Sequence, residues 1–287
     1  MLLLIGYLVV VGAVFGGYAI MGGSFGVLFQ PVELLMIGGA AVGTFIAGNN
    51  GKTIRATLQE LGRLLRTSRY DRQLYMDLLA LLFELLAKAR KEGMMKLESD
   101  VEDPASSEIF GRYPAIVAHP KLMEFICDYL RLVISGHTEA FEIEALMDHE
   151  IETIRHEGEG PMHSLTRVSD ALPALGIVAA VMGVVHALAS ADLPPNEMGA
   201  LIGHAMVGTF LGVLMAYGFV APLASVIGHK LSESMKVYEC AKVTLLASLN
   251  GYAPQMAVEF GRKVLYSTER PSFSELDVHV REVKAQK

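Results

Sequence analysis

With 287 residues, 52% of them apolar, and a mean hydropathy of +0.39, the chain is too apolar for an average soluble protein. Outside the apolar runs its charge is nearly balanced. Setting aside Glu33, Asp192 and Glu197 leaves 28 acidic residues against 24 basic ones, which excludes the basic stripe a nucleic-acid binder needs.

All 24 Lys and Arg residues fall in two blocks, Lys52–Arg167 and Lys230–Lys287. Basic residues beside membrane spans stay in the cytoplasm, so this partition predicts a topology as well as a membrane protein. The expected fold is all-α: a polytopic membrane protein with four transmembrane helices and a large helical cytoplasmic domain. Cys127 and Cys240 both lie in the basic blocks, where thiols stay reduced, and no disulfide is expected.

The first span is expected at 2–21, twenty residues without a charge, enough to cross a core of about 30 Å. It lacks a charged n-region and is long for a signal peptide, so it reads as a retained helix. Gly22-Gly23-Ser24 begins an outer turn, and a second span follows at 32–48 with Glu33 at its outer edge. Residues 1–50 thus form one hairpin. Residues 51–170 read as a cytoplasmic helical block, in which Leu74, Leu78, Leu81, Leu82 and Leu85 share one helix face. Asp103-Pro104 and Tyr113-Pro114 punctuate this block, and Lys121–Ser135 and Glu139–Arg155 read as two further helices. The third span is expected at 171–189, an outer turn at Ser190–Asn196, and the fourth span at 199–222, giving a second hairpin over 171–222. From 223 to 287 the chain is cytoplasmic again, helical through Leu249, stopped at Asn250-Gly251 and resumed over Gln255–Leu265.

Small residues recur at helical spacing on the spans: Gly39, Gly43 and Ala47; Gly176, Ala180, Gly183 and Ala187; Gly199 and Gly203; Gly208 and Gly212. Such ridges let backbones approach closely, within one subunit or between copies.

Candidate chemistry is sparse. Gly48–Thr53 has the tail of a phosphate-binding loop, but Ile46 stands where the first glycine belongs and a membrane helix precedes it. His149, His156 and His163 stand seven apart among acidic residues, with Gly158, Gly160 and Pro161 expected to interrupt before His163. Metal sites use tighter spacings, so a solvated acidic helix is the simpler reading. No catalytic residue, metal site or cofactor is expected. In the membrane, an ion path normally contains a carboxylate. The spans offer only Glu33 at an edge, His186, His204 and tyrosine phenols. If this chain moves ions, another chain supplies the acid. Pro173 opens the third span and Pro222 closes the fourth; counted from the span ends they lie at the same depth, which suggests a hinge.

At these residues the chain resembles the MotA family, the ring-forming stator subunit of the bacterial flagellar motor, within the MotA/TolQ/ExbB superfamily. The likeness is densest over Ser169–Ala187, His204–Gly212 and Ala216–Leu223, and continues at Tyr129–Leu132, Phe141–Asp148 and Asn250–Pro254. It implies a homo-oligomeric ring of five copies around two MotB-like partners, each a single-span protein supplying an intramembrane aspartate. It implies an inner-membrane location with both termini cytoplasmic. It also implies that Pro173 and Pro222 couple ion passage to movement, that Thr209, Ala180, Met206 and Tyr217 line the partner-facing pathway, and that Arg90 and Glu98 contact the rotor protein FliG. Protons are the expected ion. Two rivals remain: an ExbB- or TolQ-like energiser, whose three-span pattern the complete first hairpin disfavours, and a non-conducting membrane scaffold.

Overall fold

The computed structural model describes residues 2–64, 70–136, 139–189 and 194–285. Among the described residues every regular element is a helix. In chain order these are α1 (Leu2–Ile20), α2 (Phe25–Leu28), α3 (Pro31–Ala47), α4 (Gly51–Arg63) and α5 (Arg72–Glu92), then a 3-10 turn at Met94–Leu97. The short helices α6 (Glu98–Glu102), α7 (Glu108–Gly111) and α8 (Pro114–Val117) precede α9 (Pro120–Ser135) and α10 (Ala140–Ala189). After α11 (Pro195–Val213) comes a π-helical segment, Leu214–Val220, followed by α12 (Ala221–Leu249), α13 (Pro254–Val264) and α14 (Phe273–Ala285). Four helical stretches are long and apolar enough to cross a membrane: Leu2–Ile20, Phe25–Ala47, Ala140–Ala189 and Asn196–Leu249.

Local chemistry sets the boundaries. Pro31 stands in the first turn of α3, where its missing N–H is no loss. The Asn50 side chain accepts the Thr53 N–H at 2.8 Å, and Asp71 accepts the Leu74 N–H at 2.9 Å, so α4 and α5 each start on a side-chain cap. The phosphate-loop-like run is therefore a helix start at the end of a span. Gly251 takes φ +85°, the left-handed geometry that stops α12.

The chain divides into two compact units, Met1–Thr67 with Gly158–His229, and Ser68–Glu157 with Lys230–Lys287. The core of the first unit joins Ile37 and Ala41 of α3 to Leu172 and Ala179 of α10, Val207 and Leu211 of α11, and Ala216. A second patch joins Leu64, Leu165, Ala224 and Ile227. The second unit is built on α5, whose expected leucine face is fully buried against α8, α9, α12 and α13. Glu84 is buried in that core and holds both the Arg112 guanidinium and, at 3.2 Å, the Tyr113 hydroxyl. Burial, reinforced by the Glu84 charge, pushes the Tyr113 phenol far above its usual range.

Three sequence expectations are corrected. The helix does not break at Gly158–Pro161: Glu139–Arg155 and the third span belong to one 50-residue helix, α10, with Pro161 and Pro173 inside it. Packing overrides the local breakers. A methyl group on Gly160 would touch Thr53 Cγ2 at 3.5 Å, and the Ser164 hydroxyl lies 2.7 Å from Gly160 O and 2.6 Å from Asn49 Oδ1. Next, the outer turn at 22–30 contains a helix, α2, which was not expected, while Phe273–Ala285, inside the region expected to hold C-terminal helices, forms α14. Third, Pro173 and Pro222 do not lie at one depth, because the seam between α10 and α11 sets a different register. Residues 190–193 of the expected Ser190–Asn196 turn lie outside the described residues.

Candidate functional site: the hairpin of α10 and α11

The two helices meet backbone to backbone. A methyl group on Gly176 would lie 2.8 Å from Gly208 O and 3.0 Å from Gly212 Cα; one on Gly212 would lie 2.7 Å from Leu172 O. Gly183 stands against Ala205, and Gly208 against the Ala180 amide, in the same seam. The ridges of the third and fourth spans thus mesh within one chain. By contrast, Gly39, Gly43, Gly199 and Gly203 have no side chain or remote backbone within 4 Å of an added methyl.

The seam also fixes the register. Leu172 pairs with Gly212, Ser169 with Ala216, and Met162 with Gly228. Pro222 therefore lies level with a point about two turns before Pro173 on α10, on the order of 10 Å away along the axis. Counting from span ends placed them at one depth; the observed register does not, because the seam slides the two helices past each other.

The fourth span widens between these prolines. Over Leu214–Val220 the helix is π-type, and Ala216 O takes the Ala221 N–H five residues on. Ser169 Oγ donates to the same carbonyl at 3.0 Å, and Tyr7 of α1 donates its hydroxyl to Phe219 O at 2.7 Å. The Tyr7 and Phe219 rings pack at 5.1 Å. Gly218 admits α1 here: a methyl group on it would stand 3.2 Å from Val10 Cγ1. Pro222 stands two residues beyond Val220, the end of this segment; having no N–H, it offers nothing to the carbonyls one turn back.

Along α11 and the π-helical segment that continues it, Ile202, Met206, Thr209, Val213 and Tyr217 form one exposed stripe at three- and four-residue spacing. Met206 is 68% and Tyr217 61% exposed. Ala180 is half-buried at the seam behind this stripe, beside Gly208. Glu33 is buried in the first turn of α3, and His204 is half-buried on α11.

Within the second unit, Arg90 and Glu98 flank a sharp turn. Gly93, at φ +94°, ends α5 and starts the 3-10 turn leading into α6. Both residues are exposed, and neither has an ion-pair partner among the described residues. Lys88 and Asp100 tie the two arms of the turn at 2.5 Å, and Ser107 donates to Asp100 at 2.7 Å. Two histidines on α10 face carboxylates one turn back: His156 meets Glu152 at 3.0 Å and His163 meets Glu159 at 3.8 Å.

The chain is 63% identical over 284 residues to Motility protein A of Escherichia coli (strain K12), spanning 99% of this chain and 96% of that protein. The chain belongs to the Motility protein A family. Residues 4–93 match the profile of the Motility protein A N-terminal region, and residues 119–240 that of the MotA/TolQ/ExbB proton channel family. Motility protein A of Salmonella typhimurium is 62% identical over the same span. Two solved structures share the fold. The C. jejuni MotAB structure has a TM-score of 0.76 at 20% identity, covering 94% of this chain and 98% of that one. The flagellar MotAB stator complex from Bacillus subtilis has a TM-score of 0.73 at 24% identity, covering 96% and 98%. As a family member the chain is an ion-channel subunit of the flagellar motor stator, a multi-pass inner-membrane protein.

Sequence reasoning did not single out Ser169 or Tyr7. A hydroxyl pair of this kind leaves no spacing signal, although Tyr7 is one of only two tyrosines in an otherwise apolar first span.

Proposed function

We propose that this subunit is the collar of a proton-driven torque generator and that its ion-binding acid comes from a single-span, MotB-like partner seated along Met206, Thr209 and Tyr217, with Ala180 behind them. One observation carries this reading. Residues 2–20, 34–47, 171–189 and 198–222 contain no carboxylate, and an exposed stripe with a hydroxyl at its centre runs down α11. A desolvated proton needs a group to hold it, and this chain leaves that place to a neighbour. The arrangement is five copies around two partner chains, with both termini in the cytoplasm.

Protonation of the partner acid removes a charge buried against α10 and α11 and changes which packing is stable. A unit charge crossing the membrane potential is worth about 2.3 kcal/mol per 100 mV, more than a tenfold bias on a two-state interface. The Pro222 end of the fourth span, with Pro173 in α10, is the hinge, and Arg90 and Glu98 present opposite charges to the rotor protein FliG.

The test uses proteoliposomes holding this subunit alone, with the partner, or with the partner's aspartate changed to asparagine. Proton uptake is expected only with the unaltered partner; selective uptake by this chain alone would overturn the reading. Neutralising Arg90 and Glu98 together is expected to stop swimming at normal membrane levels, and normal swimming would remove the rotor contact.

A further inference from the structure

The widened segment Leu214–Val220 has a structural feature that its apolar sequence does not explain. π-helical turns are rare and appear mostly as short segments at functional positions, because each inserts one residue into an otherwise regular helix. Here two side chains from other helices close on that backbone: Ser169, 2% exposed, on Ala216 O, and Tyr7 on Phe219 O. Ala216 O therefore accepts both the Ala221 N–H and the Ser169 hydroxyl.

We propose that Ser169 and Tyr7 are positioning residues that latch Leu214–Val220 in its widened register, and that the coupling movement exchanges this register for a regular α-helical one. The proposal rests on the hinge reading of Pro222. Removing the extra residue's worth of turn shifts one side of the segment against the other by about 1.5 Å along the axis and about 100° around it. The α11 side cannot take up that shift, since Gly208 and Gly212 touch the backbone of α10. The movement is delivered to Ala221–His229. It breaks both hydroxyl bonds, since each carbonyl turns away from its donor. Pro222 lowers the barrier because its position has no amide bond to break in either register.

Tyr7→Phe and Ser169→Ala each delete one hydroxyl, and the first keeps the ring on Phe219. A neutral hydrogen bond biases the register by about fivefold. Stall torque is set by the driving force, whereas speed at low load is set by how fast the register exchanges. Single-motor rotation is therefore measured across loads, with the amount of assembled complex in the membrane quantified alongside. Either variant is expected to change low-load speed by about two- to fivefold, while stall torque and complex level move much less. An unchanged load–speed curve in both variants, alongside a motor stopped by Pro222→Ala, would overturn the latch and leave the hinge. Speeds that fall at all loads in proportion to lost complex would overturn it too, by showing both residues to be structural. Normal rotation in Pro222→Ala would overturn the hinge itself and the latch with it.

Discussion

Changing Gly212 to alanine would drive a methyl group to within 2.7 Å of Leu172 O and 2.8 Å of Gly176 Cα, both backbone atoms. No rotamer relieves such a contact, so α10 and α11 must separate by about 0.7 Å to reach ordinary van der Waals distance. A gap of that size forfeits a quarter to a half of the dispersion energy along the seam. Overpacking costs about 1–3 kcal/mol, and the backbone contact puts this case at the upper end. Alanine returns about 1 kcal/mol of helix propensity. The net loss is about 2 kcal/mol, roughly thirtyfold in the folding equilibrium. The chain has no tryptophan, so unfolding of the detergent-solubilised subunit in SDS is best followed by far-ultraviolet circular dichroism. Gly6→Ala, where an added methyl meets nothing within 4 Å, serves as the control. Equal midpoints for the two variants would refute the account of the seam.

Three further outcomes follow from the second unit. Lys88→Met strands Asp100, whose side chain is only 10% exposed, and is expected to cost about 2 kcal/mol, discounted from the fully buried case because Lys88 is 26% exposed; an unchanged denaturation midpoint would contradict the clamp. Burial pushes the Cys127 thiol up to about 11 and Cys240 up to about 12. The sign follows from linkage: a raised pKa contributes stability fully present below the unfolded value, about 8.5, and lost as pH rises through the folded values. Unfolding midpoints are thus expected to fall between about pH 8.5 and 11, and both thiols should resist alkylation in the folded protein at neutral pH; rapid labelling would count against the packing. Ser272→Ala removes the reciprocal cap in which Ser272 Oγ accepts the Glu275 N–H at 3.2 Å and Glu275 accepts the Ser272 N–H at 2.7 Å. A loss of about 1 kcal/mol, seen as faster amide exchange confined to α14, is expected; unaltered exchange there would disprove the cap's role.

Much of this fold could be read from residues. The two blocks of Lys and Arg outline the spans, the leucine spacing on α5 marks its buried face, and the glycine ridges of the third and fourth spans announce a close crossing. Other features are hidden by the scale at which they are decided. Gly158, Gly160 and Pro161 look like a break because turn signals are local, whereas Thr53, Asn49 and Ser164 hold the helix together through contacts remote in sequence. The depth of Pro173 and Pro222 depends on how far one helix slides past the other, which span lengths do not encode. The widened turn before Pro222 adds a single residue to a uniformly apolar run, too little to disturb its periodicity. The cap at Ser272 and Glu275 was missed although a Ser-x-x-Glu motif stands ahead of Val278 and Val280 at the start of α14.

Helix α1 has no buried residue, and among the described residues its contacts gather at four side chains: Tyr7 on Phe219, Val10 beside Gly218, Phe15 near Phe25 and Phe210, and Tyr18 on Phe25 and Ser24 O. Within this chain, length and apolar character rather than shape are what the bilayer asks of the other positions of α1. Exchanging one apolar residue for another there disturbs none of these contacts, whereas losing the Tyr7 hydroxyl removes its bond to Phe219 O.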